Sequence, residues 1–193
     1  MAATGWPATV PSALSMLVLR GGLEPGRFPR LRSVLFAGEV FPTKYLGRLM
    51  ELLPGARFYN LYGPTETNVC TCYEVPPLSQ RRPDAIPIGK PIAGVQVLAI
   101  GEDGTAVAPG EAGELCVRGP SVMRGYWADP EKSARALAPL PAAGFPDEAL
   151  YRTGDLARQD AEGNWLFLGR RDGQVKRRGY RIELGEIESA LHA

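Results

Sequence analysis

The segment Asn60-Leu61-Tyr62-Gly63-Pro64-Thr65-Glu66 gathers an aromatic ring, a hydroxyl and a carboxylate in one short stretch. It follows a predicted strand, and open α/β sheets place ligands in loops at the carboxyl ends of strands. Gly63-Pro64 forces a tight turn that exposes its backbone. Thr65 offers a hydroxyl to a phosphate oxygen, and Tyr62 offers a flat face for a base. Glu66 offers a hard carboxylate oxygen, the ligand type Mg²⁺ prefers. Tyr151-Arg152-Thr153-Gly154-Asp155-Leu156 is a second predicted turn, in which Asp155 is able to accept both hydroxyls of a ribose. Gly169-Arg170-Arg171-Asp172-Gly173-Gln174-Val175-Lys176 is a third, with fixed positive charge beside an acidic residue. Taken singly, these read first as a polar turn, an Asx-turn and a solvated hairpin.

Other chemistries are disfavoured. The single histidine, His192, lies near the C-terminus, which argues against Cys/His zinc sites and Ser-His or Cys-His nucleophiles. Carboxylates, hydroxyls, arginines and backbone amides must therefore do the work. Lysine plus arginine is 22 against 21 for aspartate plus glutamate, so no basic excess points to nucleic acid. Arg170, Arg171, Lys176, Arg177, Arg178 and Arg181 form one local basic stretch, either a solvated strand face or a phosphate-facing surface. No apolar run is long enough to span a membrane, and the N-terminus lacks the basic start and apolar core of a signal peptide. The odd count of cysteines, Cys70, Cys72 and Cys116, argues for reduced thiols in the cytoplasm.

Three segments must position these groups, in an overall α/β class. Residues 1–75 read as a partial α/β subdomain. It has a helix over Val10–Leu19, a buried strand over Leu31–Phe36, an amphipathic helix over Thr43–Leu53 and a strand over Arg57–Leu61, the strands being parallel. Residues 76–171 read as a small β-barrel or curled antiparallel sheet. Its strands fall at Val95–Ile100, at Glu114–Arg118 with in-out alternation, and at Asn164–Leu168. The stretch 129–150 reads as a short helix over Pro130–Leu137 and then a mobile loop. Residues 172–193 read as a hairpin over Gln174–Glu183, turning at Arg178-Gly179, then a helix from Gly185 that is cut short.

In order and spacing the motifs resemble the adenylate-forming (AMP-binding) superfamily, over nearly the whole chain. The signatures are Phe36-Ala37-Gly38-Glu39, Asn60 to Glu66, Gly113 to Gly119 continuing to Arg124-Gly125-Tyr126-Trp127, Tyr151 to Leu156, and Gly169 to Glu188. The last, GRRDGQVKRRGYRIELGEIE, is similar to the amino-acid adenylation domains of nonribosomal peptide synthesis. The resemblance implies the C-terminal half of the large N-terminal domain, with the start of the C-terminal lid. It implies ATP and Mg²⁺, an amino-acid substrate, and a carrier protein whose phosphopantetheine thiol receives the aminoacyl group. By this resemblance Tyr62 packs on adenine with Asn60 at its edge, and Thr65 contacts phosphate. Glu66 is the Mg²⁺ carboxylate and Asp155 the ribose-diol acceptor. Phe167 lies against the ribose, Arg170 serves ribose and phosphate, and Asp172 is the hinge of the lid, whose hairpin holds Lys176. Thr65, Glu66 and Arg170 are the catalytic candidates.

Substrate-pocket positions by the same alignment are Leu35, Ala37, Leu61, Val69 and Cys70, all apolar and of moderate size. Such a wall favours a compact apolar side chain. The set resembles standalone L-prolyl carrier-protein ligases, with D-alanine or another small apolar amino acid as the alternative; the same residues are also core positions shared by many members. The family's glycine-rich phosphate loop and the lid's catalytic lysine are expected outside residues 1–193, so the isolated chain is expected to lack adenylation activity. A non-catalytic nucleotide- or carrier-binding remnant, and a piece of a carboxylate–CoA ligase, are the rival readings.

Overall fold

In the computed structural model, residues 9–78, 85–171, 174–177, 180–182 and 190–191 are described. The fold divides into two compact units. One comprises residues 1–61, 73–87 and 175–193, and the other residues 62–72 and 88–174.

The first unit opens with α1 (Pro11–Arg20), which begins on a proline, where the missing N–H costs nothing. Gly21 ends it, donating its N–H to Leu17 O at 2.8 Å. Strand β1 (Ser33–Ala37) alternates, with Val34 and Phe36 fully buried. Helix α2 (Thr43–Leu52) buries Leu46, Gly47, Leu49 and Leu52 on one face. Pro54-Gly55 follows, and β2 (Arg57–Tyr62) then pairs parallel with β1, Ala37 opposite Leu61. Leu14, Val34, Phe36, Leu46, Leu49 and Phe58 form the core of this unit. The β–α–β order read from hydrophobic period is thus the observed one.

In the second unit, Thr71 and Cys72 of β3 (Thr71–Val75) pair antiparallel with β4 (Lys90–Pro91). Strands β5 (Gln96–Ile100) and β6 (Gly113–Arg118) form an antiparallel pair. Helix α3 (Pro130–Ala136) is capped by Asp129, whose side chain accepts from Lys132 N. The segment expected to be a mobile loop is instead β7 (Leu137–Leu140), a single 3₁₀ turn at Pro141–Ala143, and the 15-residue β8 (Phe145–Gln159). Proline content misleads there because β7 ends the strand order β5-β6-β8-β7, where a missing donor is tolerated. Leu140 and Leu150 supply its core contacts, with Ile100 and Cys116. Strand β9 (Trp165–Arg170) pairs with β8. The alternation expected of Glu114–Arg118 is replaced by burial of every residue from Gly113 to Val117. Both faces are covered, Leu115 and Val117 in one cluster and Cys116 in the other.

Strands β10 (Val175–Arg177) and β11 (Tyr180–Ile182) form the expected antiparallel hairpin, Lys176 opposite Arg181. Its turn at 178–179, Asp172, and most of the C-terminal helix lie outside the described residues; Ala190 and Leu191 are helical. No helix among the described residues is long and apolar enough to cross a membrane.

Candidate functional site

Tyr62, Thr65, Glu66, Asp155, Phe167 and Arg170 belong to the second unit. Tyr151–Leu156 is not a turn: it lies within β8. The strand bulges there, because Glu114 faces Leu156 while Cys116 faces Arg152. Thr153, Gly154 and Asp155 therefore lie opposite Leu115 alone. Bulges re-aim side chains, and Gly154 takes the left-handed conformation this one needs, at φ 73°.

Asp155, 1% exposed as a residue, accepts through its carboxylate from two partners. Arg170 Nη1 donates to Oδ1 at 2.7 Å and Tyr62 Oη donates to Oδ2 at 2.5 Å. Burial, then the neighbouring Asp155 charge, raises the Tyr62 phenol well above its ordinary value of 10.0, so it is a neutral donor at physiological pH. A carboxylate offers about four lone-pair sites. Two are engaged here, which leaves acceptor capacity for a diol. Phe167 is half-buried, its ring centroid 6.5 Å from that of Tyr62.

The loop Gly63–Val69 is closed at its base by Cys70 N donating to Tyr62 O at 2.8 Å. Gly63 is required by close approach: a Cβ there would lie 1.7 Å from Asn68 O. Thr65 is exposed at the loop, whereas Glu66 is buried. Tyr126 Oη donates to Glu66 Oε1 at 2.8 Å, and Met123 N donates to Glu66 O at 2.7 Å. The Arg124–Trp127 signature thus meets the Asn60–Glu66 signature at one carboxylate. Among the described residues no group of three His, Cys, Asp or Glu is placed to hold a metal. One hard carboxylate fits the Mg²⁺ habit of taking one or two protein ligands and completing its shell with phosphates and water.

Other expected positions are placed unit by unit. In the first unit, Asn60 Nδ2 donates to Pro87 O at 2.8 Å. Leu35, Ala37 and Leu61 are half-buried, on the face of the β1–β2 pair opposite Val34 and Phe36. In the second unit, Val69 is half-buried and Cys70 fully buried; burial pushes its thiol up to about 11. Burial likewise raises Cys116 to about 12.

Sequence reasoning missed Glu114 as an individual residue. Its carboxylate, 5% exposed as a residue, accepts from Arg152, Arg171 and the Gly154 amide. The available signal was a charged residue directly before the apolar run Leu115-Cys116-Val117 on the same predicted strand, since buried charges are seldom left unpaired.

Residues 4–127 match the family described as AMP-binding enzyme. The L-proline–(L-prolyl-carrier protein) ligase of Pseudomonas fluorescens is 45% identical over 185 residues, 96% of this chain and 34% of that protein. The enzyme of the same name from Streptomyces coelicolor is 46% identical over 184 residues, 94% of this chain and 33% of that protein. The solved structure of PA1221, a nonribosomal peptide synthetase protein containing adenylation and carrier domains, superposes with a TM-score of 0.86 at 34% identity. That superposition covers 99% of this chain and 38% of PA1221. The chain thus spans about a third of the length of the curated relatives it matches. With Asp155 held by Tyr62 and Arg170, Glu66 held by Tyr126, and a family match over residues 4–127, the chain belongs to the AMP-binding enzyme family.

Proposed function

We propose that this chain is part of an ATP-dependent amino-acid ligase that makes an aminoacyl-AMP and passes the aminoacyl group to the phosphopantetheine thiol of a carrier protein. In the first half-reaction a carboxylate oxygen attacks the α-phosphorus, the bond to the bridging oxygen breaks, and pyrophosphate leaves. In the second, the thiol sulfur attacks the acyl carbon and AMP leaves. The observation that carries this reading is the buried Tyr62–Asp155–Arg170 cluster, a fixed carboxylate with spare acceptor capacity beside two aromatic rings.

In this reading Asp155 accepts the ribose diol, Tyr62 packs on adenine with Asn60 at its edge, and Phe167 lies against the ribose. Arg170, ion-paired with Asp155, faces ribose and phosphate. Since Asp155 is 1% exposed, diol binding requires side-chain movement around it. Thr65, exposed on its loop, contacts phosphate. Glu66 would hold Mg²⁺, which neutralises phosphate charge when bound; the Tyr126 hydroxyl orients that carboxylate. Leu35, Ala37, Leu61, Val69 and Cys70 are the substrate-pocket positions by resemblance to the family, and their apolar character, with the two prolyl ligases among the relatives, supports proline or another small apolar amino acid. Asp172 is the hinge. Three thiols without a disulfide support a reducing, cytoplasmic setting.

The test is calorimetric titration of the chain with AMP and with a non-hydrolysable prolyl-adenylate analogue. Asp155→Ala is expected to weaken both by at least about tenfold, the scale of a hydrogen bond to a charged group. Equal affinity in parent and variant would overturn the assignment. L-Proline-dependent ATP–pyrophosphate exchange, with this chain replacing the matching third of the Pseudomonas fluorescens ligase, tests substrate choice.

A further inference from the structure

We propose that Glu114 is a positioning residue that builds the β8 bulge and so sets the aim of Asp155; the consequence for ligand binding rests on the nucleotide reading above. A bulge breaks the ladder, and its buried backbone groups need other partners. At Thr153–Asp155 the replacements are these. Thr153 O accepts from Arg170 Nη1 at 3.0 Å. The Gly154 N–H donates to Glu114 Oε1 at 3.2 Å. Gly154 O accepts from Arg171 N at 2.9 Å. The Asp155 N–H donates to Thr153 Oγ1 at 3.0 Å, and that hydroxyl donates to Leu115 O at 2.9 Å.

Glu114 supplies the acceptor for the bulge's central amide and also fixes both flanks. Its Oε2 accepts from Arg152 Nη2 at 2.5 Å and Nε at 3.2 Å, on the N-terminal side of the bulge. The same oxygen accepts from Arg171 Nη1 at 3.0 Å, on the residue whose amide holds Gly154 O and whose neighbour Arg170 holds Asp155. One carboxylate on β6, a strand paired on both sides and buried, thereby ties β8 and the end of β9 together around Asp155. It touches neither Asp155 nor Tyr62 in any of these contacts, so it acts through the backbone.

The test uses the intact chain and two probes, AMP and 2′,3′-dideoxy-AMP, which differ only in the diol. The parent is expected to prefer AMP. Glu114→Ala should reduce that preference about tenfold while dideoxy-AMP affinity stays within about twofold, since only the diol uses Asp155. Glu114→Gln keeps the shape and an acceptor for Gly154 but lacks the charge, so its effect should be intermediate; it carries the test if the alanine variant fails to fold. Glu114→Ala in an Asp155→Ala background should add nothing to the preference. An undiminished preference in the Glu114 variants overturns the proposal, as does equal weakening of both probes. A parent without any preference refutes the nucleotide reading instead, and amide exchange then decides the positioning role. Faster exchange at Gly154 and Arg171 in Glu114→Gln, with Val97 and Val117 unchanged, supports it; unchanged exchange at Gly154 overturns it.

Discussion

The Tyr62 hydroxyl sits where losing its proton would bring a second negative charge against Asp155 in a buried site. Its folded-state pKa lies above the ordinary value, so the folded protein keeps that proton to higher pH than the unfolded chain does. The linked stability is fully present below about pH 10 and is lost as pH rises from there toward the folded-state value. At neutral pH, Tyr62→Phe removes a donor to a buried carboxylate and should cost about 1.5–3 kcal/mol. Denaturant melts of parent and variant at pH 7, 9, 10 and 11 check this. The stability gap should be widest at pH 7 and narrow above pH 10. Cys70 and Cys116 also have raised values, but both proteins carry them, so their contribution cancels. A gap that is constant to pH 11 would show that burial and Asp155 together do not raise the phenol above its ordinary value.

At the scale of elements, the loop after β2 depends on one glycine. The Asn68 carbonyl packs where a Gly63 side chain would be, and Asn68 itself is left-handed at φ 55°. Gly63→Ala is therefore expected to cost more than about 2 kcal/mol, because backbone must move. Gly55→Ala, with nothing within 4 Å of the added carbon, should change stability by no more than about 0.5–1 kcal/mol. Thermal melts of the two variants make the comparison, and equal shifts would contradict the close-packed loop. Elements with a strong local period were legible in the sequence. Leu46 and Leu49 announce α2, and Val34 and Phe36 announce β1. The β7–β8 region was not, because Pro139 and Pro141 mask a hairpin pairing at the sheet edge, Ala138 with Leu150. The Thr153-Gly154-Asp155 bulge looked like a turn because a bulge and a turn call for the same residues: a left-handed glycine beside side chains that bond their own backbone. Only the partner strand decides between them, and Glu114, on that strand, is some forty residues upstream of Gly154. The motifs thus named Asp155 and Glu66, whereas the Glu114 bond to the Gly154 amide and the Tyr126 bond to Glu66 emerge only from the fold.

For the whole molecule, the balance of charge bears on which partners it takes. Twenty-two basic residues face 21 acidic ones, for a net charge of +1. The most basic stretch begins at Arg170 and Arg171, and both guanidinium groups are engaged within the fold, with Asp155 and Glu114 respectively. Arg170 is held in a buried ion pair, where screening by salt is weak, so it is not available to a polyanion passing in solvent. Binding to a phosphate backbone would require several unengaged cations releasing counterions together, with log affinity falling steeply against log salt. A chain so balanced should show no such behaviour. On immobilised heparin at pH 7 it is expected to elute at or below about 0.15 M salt, where the Debye length is about 8 Å. Fluorescence titration with a duplex DNA should show no saturable binding at the same salt. Arg171→Gln, which removes a half-exposed cation already paired with Glu114, should leave elution unchanged. Retention beyond about 0.5 M salt, weakened by Arg171→Gln, would mean that the stretch is a docking surface rather than an internal clamp. The elution profile and the amide exchange of Gly154 would then move together in that variant, whereas an internal clamp predicts that only the exchange responds.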